Sequence, residues 1–346
     1  MKLAVFLPGW IGDVVMATPA FRALRAAYPD ARITGVAKPY VAGVVTGSAW
    51  FDDLILSKSA LRIARKLRPR SIDLAVLFPN SFRSAFAAWM GGCKQRIGFA
   101  RYLRSWMLTD VLEAPRDAAG KLTPTPALDS YNALAVRAGC PDPGHRMELF
   151  TLPKDEADAD LVWQALGGAR TVIGLNPGAA FGAAKCWPTA HWVLLAKSLI
   201  AQRDRAILLL GGPAESALTQ EISLACGRPD VVALSEVAPR LSLGLSKALV
   251  RRLSLLVTTD SGPRHFASAF GRPVVTLFGP THIAWTETYQ PGAIHLQQVL
   301  PCGPCQQRVC PEKHHRCMTE LSPVEVLAAC ERLLGLTNRT GVLPSC

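Results

Sequence analysis

Apolar residues recur along the chain as short unbroken blocks separated by amphipathic stretches, and the blocks fall into two series. In the first, residues 3–7, 32–37 and 74–78 read as strands, while 14–28, 60–67, 81–90 and 129–138 carry helical spacing. Residues 114–126, rich in Pro, Ala and charge, read as a loop. An acidic helix over 154–166 marks the junction. Strands then resume at 171–175, 206–210, 255–257 and 274–278, alternating with helices at 191–202, 214–225 and 264–270. Strands alternating with helices imply βαβ units and parallel sheets. The pattern predicts an α/β chain with two doubly wound halves joined in tandem, with a cleft between the carboxyl ends of their strands where ligands bind.

Length agrees with that division, since 346 residues exceed one ordinary core and suit two domains. The expected domains are 1–155, 165–321, and a C-terminal helix and tail, 322–346, packing back toward the first domain. An apolar content of 49% with 18% charged residues describes a globular chain. No apolar run approaches the roughly 20 residues that a membrane-spanning helix needs. Residues 1–8 lack a basic leader and run directly into a glycine turn, so they read as strand one, and the expectation is a cytoplasmic protein.

Charge sharpens the picture. The net charge is +12, and residues 1–150 hold 20 Lys/Arg against 11 Asp/Glu. Lys58, Arg62, Arg65, Lys66, Arg68 and Arg70 lie in an acid-free stretch; Arg96, Arg101 and Arg104 form a second group. Such a run is either a solvated helix face or a surface for an anionic partner such as a membrane or a phosphorylated lipid. Nucleic acid is disfavoured, because no recognised module appears and no aromatic residues interleave with the charges.

The candidate chemistry sits in the turns after strands. Thr259-Asp-Ser-Gly-Pro-Arg-His265 links a buried strand to a helix, and such a turn aims backbone N–H groups and a helix N-terminus at an anion. Pro8-Gly-Trp-Ile-Gly12-Asp13 follows strand one; Asp13 is either a helix cap or a general base. In the small-residue loop from Asn176 through Gly178 to Pro188, Lys185 either faces solvent or meets a leaving diphosphate. Glu215, after Gly211-Gly212, either caps a helix or binds a ribose hydroxyl. Cys302, Cys305, Cys310 and Cys317 follow a C-x2-C-x4-C-x6-C spacing that resembles zinc or iron–sulfur ligation, the alternative being reduced cysteines packing a loop.

Taken together, Pro8-Gly-Trp-Ile-Gly-Asp13, Leu77-Phe-Pro-Asn-Ser-Phe-Arg83, Arg96-Ile-Gly-Phe99, Asn176-Pro-Gly-Ala179, Lys185-Cys-Trp-Pro188 and Thr259-Asp-Ser-Gly-Pro-Arg-His265 resemble the ADP-heptose:lipopolysaccharide heptosyltransferases, glycosyltransferase family 9. Within that family the Pro-Asn-Ser-Phe element and the cysteine-rich segment are most similar to the type II branch. The resemblance implies a GT-B fold of two Rossmann-like domains facing a central cleft, with acceptor on the N-terminal domain and nucleotide-sugar on the C-terminal one. It implies inverting transfer of L-glycero-D-manno-heptose from ADP-heptose to the inner-core heptose of a Kdo-lipid A acceptor, without metal or other cofactor, at the inner face of an anionic membrane. Asp13 matches the catalytic aspartate and Lys185 the lysine on the donor phosphates. Asp260, Ser261, Gly262 and His265 match the donor turn, with Gly178 and Glu215 beside it. Gly12, Asn80, Ser81, Arg83, Arg101 and Arg104 are assigned to the acceptor. Cys186 stands where an arginine is expected, and Pro263-Arg264 replaces an apolar pair. A family 9 enzyme with another acceptor or sugar, and a non-catalytic nucleotide-sugar-binding protein, are the alternatives.

Overall fold

The computed structural model describes residues 1–168, 171–179, 182–202 and 204–340, so Ala180 and Phe181 of the small-residue loop and the tail beyond 340 lie outside the described residues. Two compact units divide the chain: Met1–Phe150 with Ala284–Thr288, and the remainder.

The first unit is built on six parallel strands: β1 (Lys2–Phe6), β2 (Arg32–Ala37), β3 (Asp53–Leu56), β4 (Leu74–Leu77), β5 (Gln95–Phe99) and β6 (Asp110–Leu112). Their spatial order is β3-β2-β1-β4-β5-β6. The second carries β7 (Thr171–Asn176), β8 (Arg205–Leu209), β9 (Val231–Ala233), β10 (Leu255–Thr259), β11 (Val274–Phe278) and β12 (Ala293–Gln297), in the order β12-β11-β10-β7-β8-β9. Counted from its own first strand, the second sheet repeats the 3-2-1-4-5-6 order of the first. Both are Rossmann-like sheets. In each, the strand order switches sides between the first and fourth strands, and a ligand site is expected beyond the carboxyl ends of β1 and β4 and of β7 and β10.

The central strands are buried on both faces and read as continuous apolar runs, as parallel sheets require. Phe6, Ile55, Leu67, Leu77 and Met107 anchor the first core. Ile173, Trp192, Ile207, Val257 and Leu277 anchor the second.

Three features differ from the sequence reading. The helix expected over 14–28 is two helices, Ile11–Met16 and Thr18–Ala27. Pro19 has no N–H for the carbonyl of Val15, and the Thr18 hydroxyl donates to that carbonyl instead at 2.8 Å. The acidic helix Pro153–Ala165 belongs to the second unit, where Glu156 and Asp160 pair with Arg252. The C-terminal helix Pro323–Thr340 also completes the second unit, although the sequence reading set it apart and turned it toward the first. Its residues Val326, Ala329, Cys330, Leu333 and Leu334, spaced as one helical stripe, join the core around Trp192. Among the described residues no helix is long and apolar enough to cross a membrane.

Candidate active site

In the first unit, β1 runs into the glycine turn and then the helix Ile11–Met16. Asp13 lies in the first turn of that helix, but Trp10 occupies the N-cap position, so the cap reading fails. From the helix Ala127–Arg137 the Tyr131 hydroxyl donates to Asp13 Oδ1 at 3.1 Å. Burial, and then the Asp13 charge, push the Tyr131 pKa well above its ordinary value, so the phenol stays a donor. Lys38, just past β2, closes over the turn: a Cβ on Gly9 would lie 2.8 Å from its Nζ, so the glycine leaves room for a cation there. Neither Tyr131 nor Lys38 was among the residues expected from sequence. Both lie far along the chain from Asp13, and only the sheet order brings them to the same end.

At the end of β4 the expected acceptor residues divide. The Ser81 hydroxyl accepts from Ser84 N at 3.2 Å and caps the helix Phe82–Met90. Arg104 is fully buried rather than facing a ligand. It donates to Phe99 O at 3.1 Å, Ser84 Oγ at 3.2 Å and Asn80 Oδ1 at 3.0 Å. Burial pushes its pKa down to about 10, which leaves it charged at neutral pH. A Cβ on Gly98 would approach Arg104 Nη2 to 3.1 Å, which explains the glycine in Arg96-Ile-Gly-Phe. Arg104, Asn80 and Ser81 therefore hold one another. Arg83 is exposed, Arg101 half-exposed and Gly12 half-buried at the helix start.

In the second unit two expected residues, Lys185 and Asp260, meet. Lys185 ends the loop after β7 and is only 6% exposed, against the expectation for a loop lysine. Its Nζ meets Asp260 Oδ2 at 2.5 Å and Asp260 O at 3.0 Å. Arg264 Nη1 reaches Asp260 Oδ1 at 3.1 Å, and the Thr281 hydroxyl donates to Oδ2 at 2.8 Å. Burial alone would raise the Asp260 pKa. The Lys185 ammonium and the Arg264 guanidinium outweigh burial, so the carboxyl lies far below the usual carboxylate range. Arg264, the departure noted in the sequence, supplies one of those two cations.

Polar side chains fix the neighbouring turns. Asn176 Nδ2 donates to Thr258 Oγ1 and Ser261 Oγ, both at 3.0 Å. The Thr259 hydroxyl donates to Gly178 O at 2.6 Å. Ser261 holds the N-cap position of the helix Gly262–Ala269 without a side-chain cap bond, so no hydroxyl competes for the N–H groups there. His265 is buried on that helix, and among the described residues its Nδ1 has no partner. Burial, then the Arg264 charge, hold its pKa well below the ordinary value, so the ring is neutral. Glu215 Oε2 accepts from Gly212 N at 2.8 Å, which is the capping role. It also packs against Gly178, where a Cβ would lie 2.5 Å from Glu215 Cγ. Buried cations, helix N–H groups and close-approach glycines at the β7/β10 switch point have the chemistry that a phosphate-bearing ligand requires.

An Asp-x-Asp spacing, common in metal-using sugar transferases, occurs at Asp158-Ala159-Asp160. It lies within a helix with Asp160 paired to Arg252, which precedes the amino end of β10. Cys302, Cys305, Cys310 and Cys317 are free thiols that line a cavity of about 90 Å³ with His314, whose Nε2 lies 3.9 Å from Cys302 Sγ. Among the described residues no three His, Cys, Asp or Glu side chains are gathered as metal ligands.

The family model for glycosyltransferase family 9 (heptosyltransferase) matches residues 60–316. Lipopolysaccharide heptosyltransferase 2 of Escherichia coli K12 is 28% identical, over 96% of this chain and 99% of that protein. Lipooligosaccharide heptosyltransferase 2 of Campylobacter jejuni is 29% identical, over 96% and 98%. The solved structure of E. coli ADP-heptose lipopolysaccharide heptosyltransferase II matches with a TM-score of 0.78 at 26% identity, covering 98% of this chain and 100% of that one. A family 9 structure from Veillonella parvula shares the fold, with a TM-score of 0.81 at 23% identity and 97% of each chain covered. With the family model spanning well over half of its length, this chain belongs to glycosyltransferase family 9 and is a glycosyltransferase.

Proposed function

We propose that the chain transfers L-glycero-D-manno-heptose from ADP-heptose to the inner-core heptose of a Kdo-lipid A acceptor, with inversion and without a metal, at the cytoplasmic face of an anionic membrane. The observation that carries the donor half is the buried Lys185–Asp260–Arg264 cluster at the turn into the helix Gly262–Ala269. The names of the full-length relatives support the choice of heptose and of lipopolysaccharide.

In this mechanism the acceptor hydroxyl gives its proton to Asp13 as its oxygen attacks the anomeric carbon. The bond from that carbon to the diphosphate oxygen breaks on the opposite face, and ADP leaves with the electron pair. Tyr131 orients the carboxylate by holding Oδ1. The cationic cluster and the N–H groups of the helix Gly262–Ala269 stabilise the charge growing on the diphosphate. One such donor is typically worth roughly 2.7 to 4 kcal/mol of barrier.

The test is acceptor-dependent ADP release by the wild type and by Asp13→Asn, with calorimetric titration of ADP, GDP and UDP in EDTA. Asp13→Asn should lower kcat about 10²- to 10⁴-fold and leave ADP affinity unchanged. Normal turnover in that variant would remove Asp13 as the base. Preference for UDP or GDP would remove the ADP-sugar assignment.

A further inference from the structure

One face of the first unit carries an aromatic surface that the transfer chemistry does not use, with Phe86 seating it on the core. On the helix Phe82–Met90, the rings of Phe82 and Phe86 stack at 6.1 Å, and Phe86 meets the tilted ring of Trp89 at 6.0 Å. Trp89 in turn meets Trp106 edge-on at 5.5 Å, on the short helix Ser105–Met107. Beside Trp106 a tight turn lifts Tyr102 and Leu103 outward, 65% and 90% exposed. Scattered exposed apolar residues are normal, whereas a contiguous row of rings marks an interaction site.

The turn is built to present its tip. Tyr102 and Leu103 both have left-handed backbones, with φ of 53° and 54°, a conformation that bulky residues rarely adopt. The buried Arg104 guanidinium anchors the base of the turn to Phe99, Ser84 and Asn80. The most exposed leucine of the described chain thus stands on a fixed support.

The flank is cationic. Arg83, next to Phe82, donates to the carbonyl of Lys58, which joins the aromatic row to the start of the helix Ala60–Leu67. That helix exposes Arg62, Arg65 and Lys66, and among the described residues none of the three forms an ion pair. No acid lies between Asp53 and Asp73 to oppose them. Protein interfaces are depleted in lysine, while aromatic rings flanked by Lys and Arg are the pattern of a membrane–water interface.

We propose that this face docks on an anionic bilayer, with Leu103, Tyr102, Trp106 and Trp89 entering the headgroup region and the helix Ala60–Leu67 lying over the lipid phosphates. The proposal rests on the membrane-side reading above and supplies its surface.

The experiment is flotation of the full-length protein with vesicles of phosphatidylcholine alone or with phosphatidylglycerol, using the wild type, Leu103→Asp, Trp89→Ser/Trp106→Ser and Arg62→Gln/Arg65→Gln. Wild type should bind the anionic vesicles, bind them less tightly as salt rises, and show quenching by brominated lipid. The aromatic pair should cost on the order of tenfold in partitioning. The arginine pair should cost roughly fivefold per charge removed. Leu103→Asp changes a solvent-exposed position, so it tests docking even if the double tryptophan variant fails to fold.

Binding that Leu103→Asp leaves intact would overturn the proposal, as would equal binding to neutral vesicles. Concentration-dependent self-association of the wild type that Leu103→Asp abolishes, without lipid binding, would assign the face to a second copy and also overturn it. ADP release on a delipidated heptose oligosaccharide separates the two readings. If docking fails while that turnover persists, the surface falls and the transfer reading stands; if that turnover is absent while lipid binding follows these variants, the transfer reading falls.

Discussion

Replacing Lys185 by Met tests whether the donor cluster is an energetic unit. Methionine keeps most of the aliphatic stem and removes the ammonium that meets Asp260 Oδ2 at 2.5 Å and Asp260 O at 3.0 Å. Both side chains are buried, at 8% and 7% exposure, so solvent screens the pair little. Removing one member of a buried ion pair costs about 3–5 kcal/mol when the other is left uncompensated. Here Asp260 keeps Arg264 at 3.1 Å and Thr281 at 2.8 Å, so the expected loss is smaller, about 2–3 kcal/mol. With a urea m-value of about 2 kcal/mol/M, that lowers the midpoint of the second unit by roughly 1 M. Asp260→Asn on the Lys185→Met background should recover part of the loss, because it removes the stranded charge; the double-mutant cycle then gives the coupling.

The same variant has an acid signature. The Asp260 carboxyl is depressed in the folded protein, so its stabilisation is present above the unfolded carboxylate value of about 3.9 and is lost as pH falls through the folded value. Lys185→Met raises the folded value, and acid unfolding should begin at higher pH than in the wild type. An unchanged urea midpoint together with an unchanged acid limb would show that this contact carries no net stabilisation.

Two further outcomes follow from buried groups. His265 is neutral in the folded chain and titrates near 6.5 when unfolded, so the unfolded state takes up the extra proton and stability falls as pH drops below about 6.5. The slope is about 1.4 kcal/mol per pH unit, and His265→Gln should flatten it in urea midpoints measured between pH 7 and 5. Arg104→Met strands the acceptors at Phe99, Ser84 and Asn80. It should destabilise the first unit by roughly 2–4 kcal/mol and increase amide exchange around Tyr102 and Leu103, read by hydrogen–deuterium exchange.

What was legible in the sequence follows burial. β4, β10 and β11 are buried along their whole length, and their apolar runs were read directly. β3, β5, β6, β9 and β12 were not read: β3 exposes two of its leucines, β6 and β9 have three residues each, and β12 is only half-buried. At the site, the turns after β1, β7 and β10 were found because glycine and proline mark them. The pairing of Lys185 with Asp260 spans 75 positions and that of Tyr131 with Asp13 spans 118, distances over which local pattern carries no information. Arg104 was read with the surface cations because its burial depends on contacts from β4 and the helix after it. Gly98 was the available signal, since an unexplained strand glycine indicates close approach of another group.

The stripe from Val326 to Leu334 also sets an order in time. Synthesis delivers β1 to β6 first, and every α-helix within residues 1–150 is complete by Arg137. The second sheet is finished at Gln297, yet the side chains that cover Trp192 and its neighbours are still to come. Domains made early fold while later ones are still being translated. A ribosome stalled before Leu334 therefore displays a finished set of first-unit elements beside a second sheet whose core is open to water.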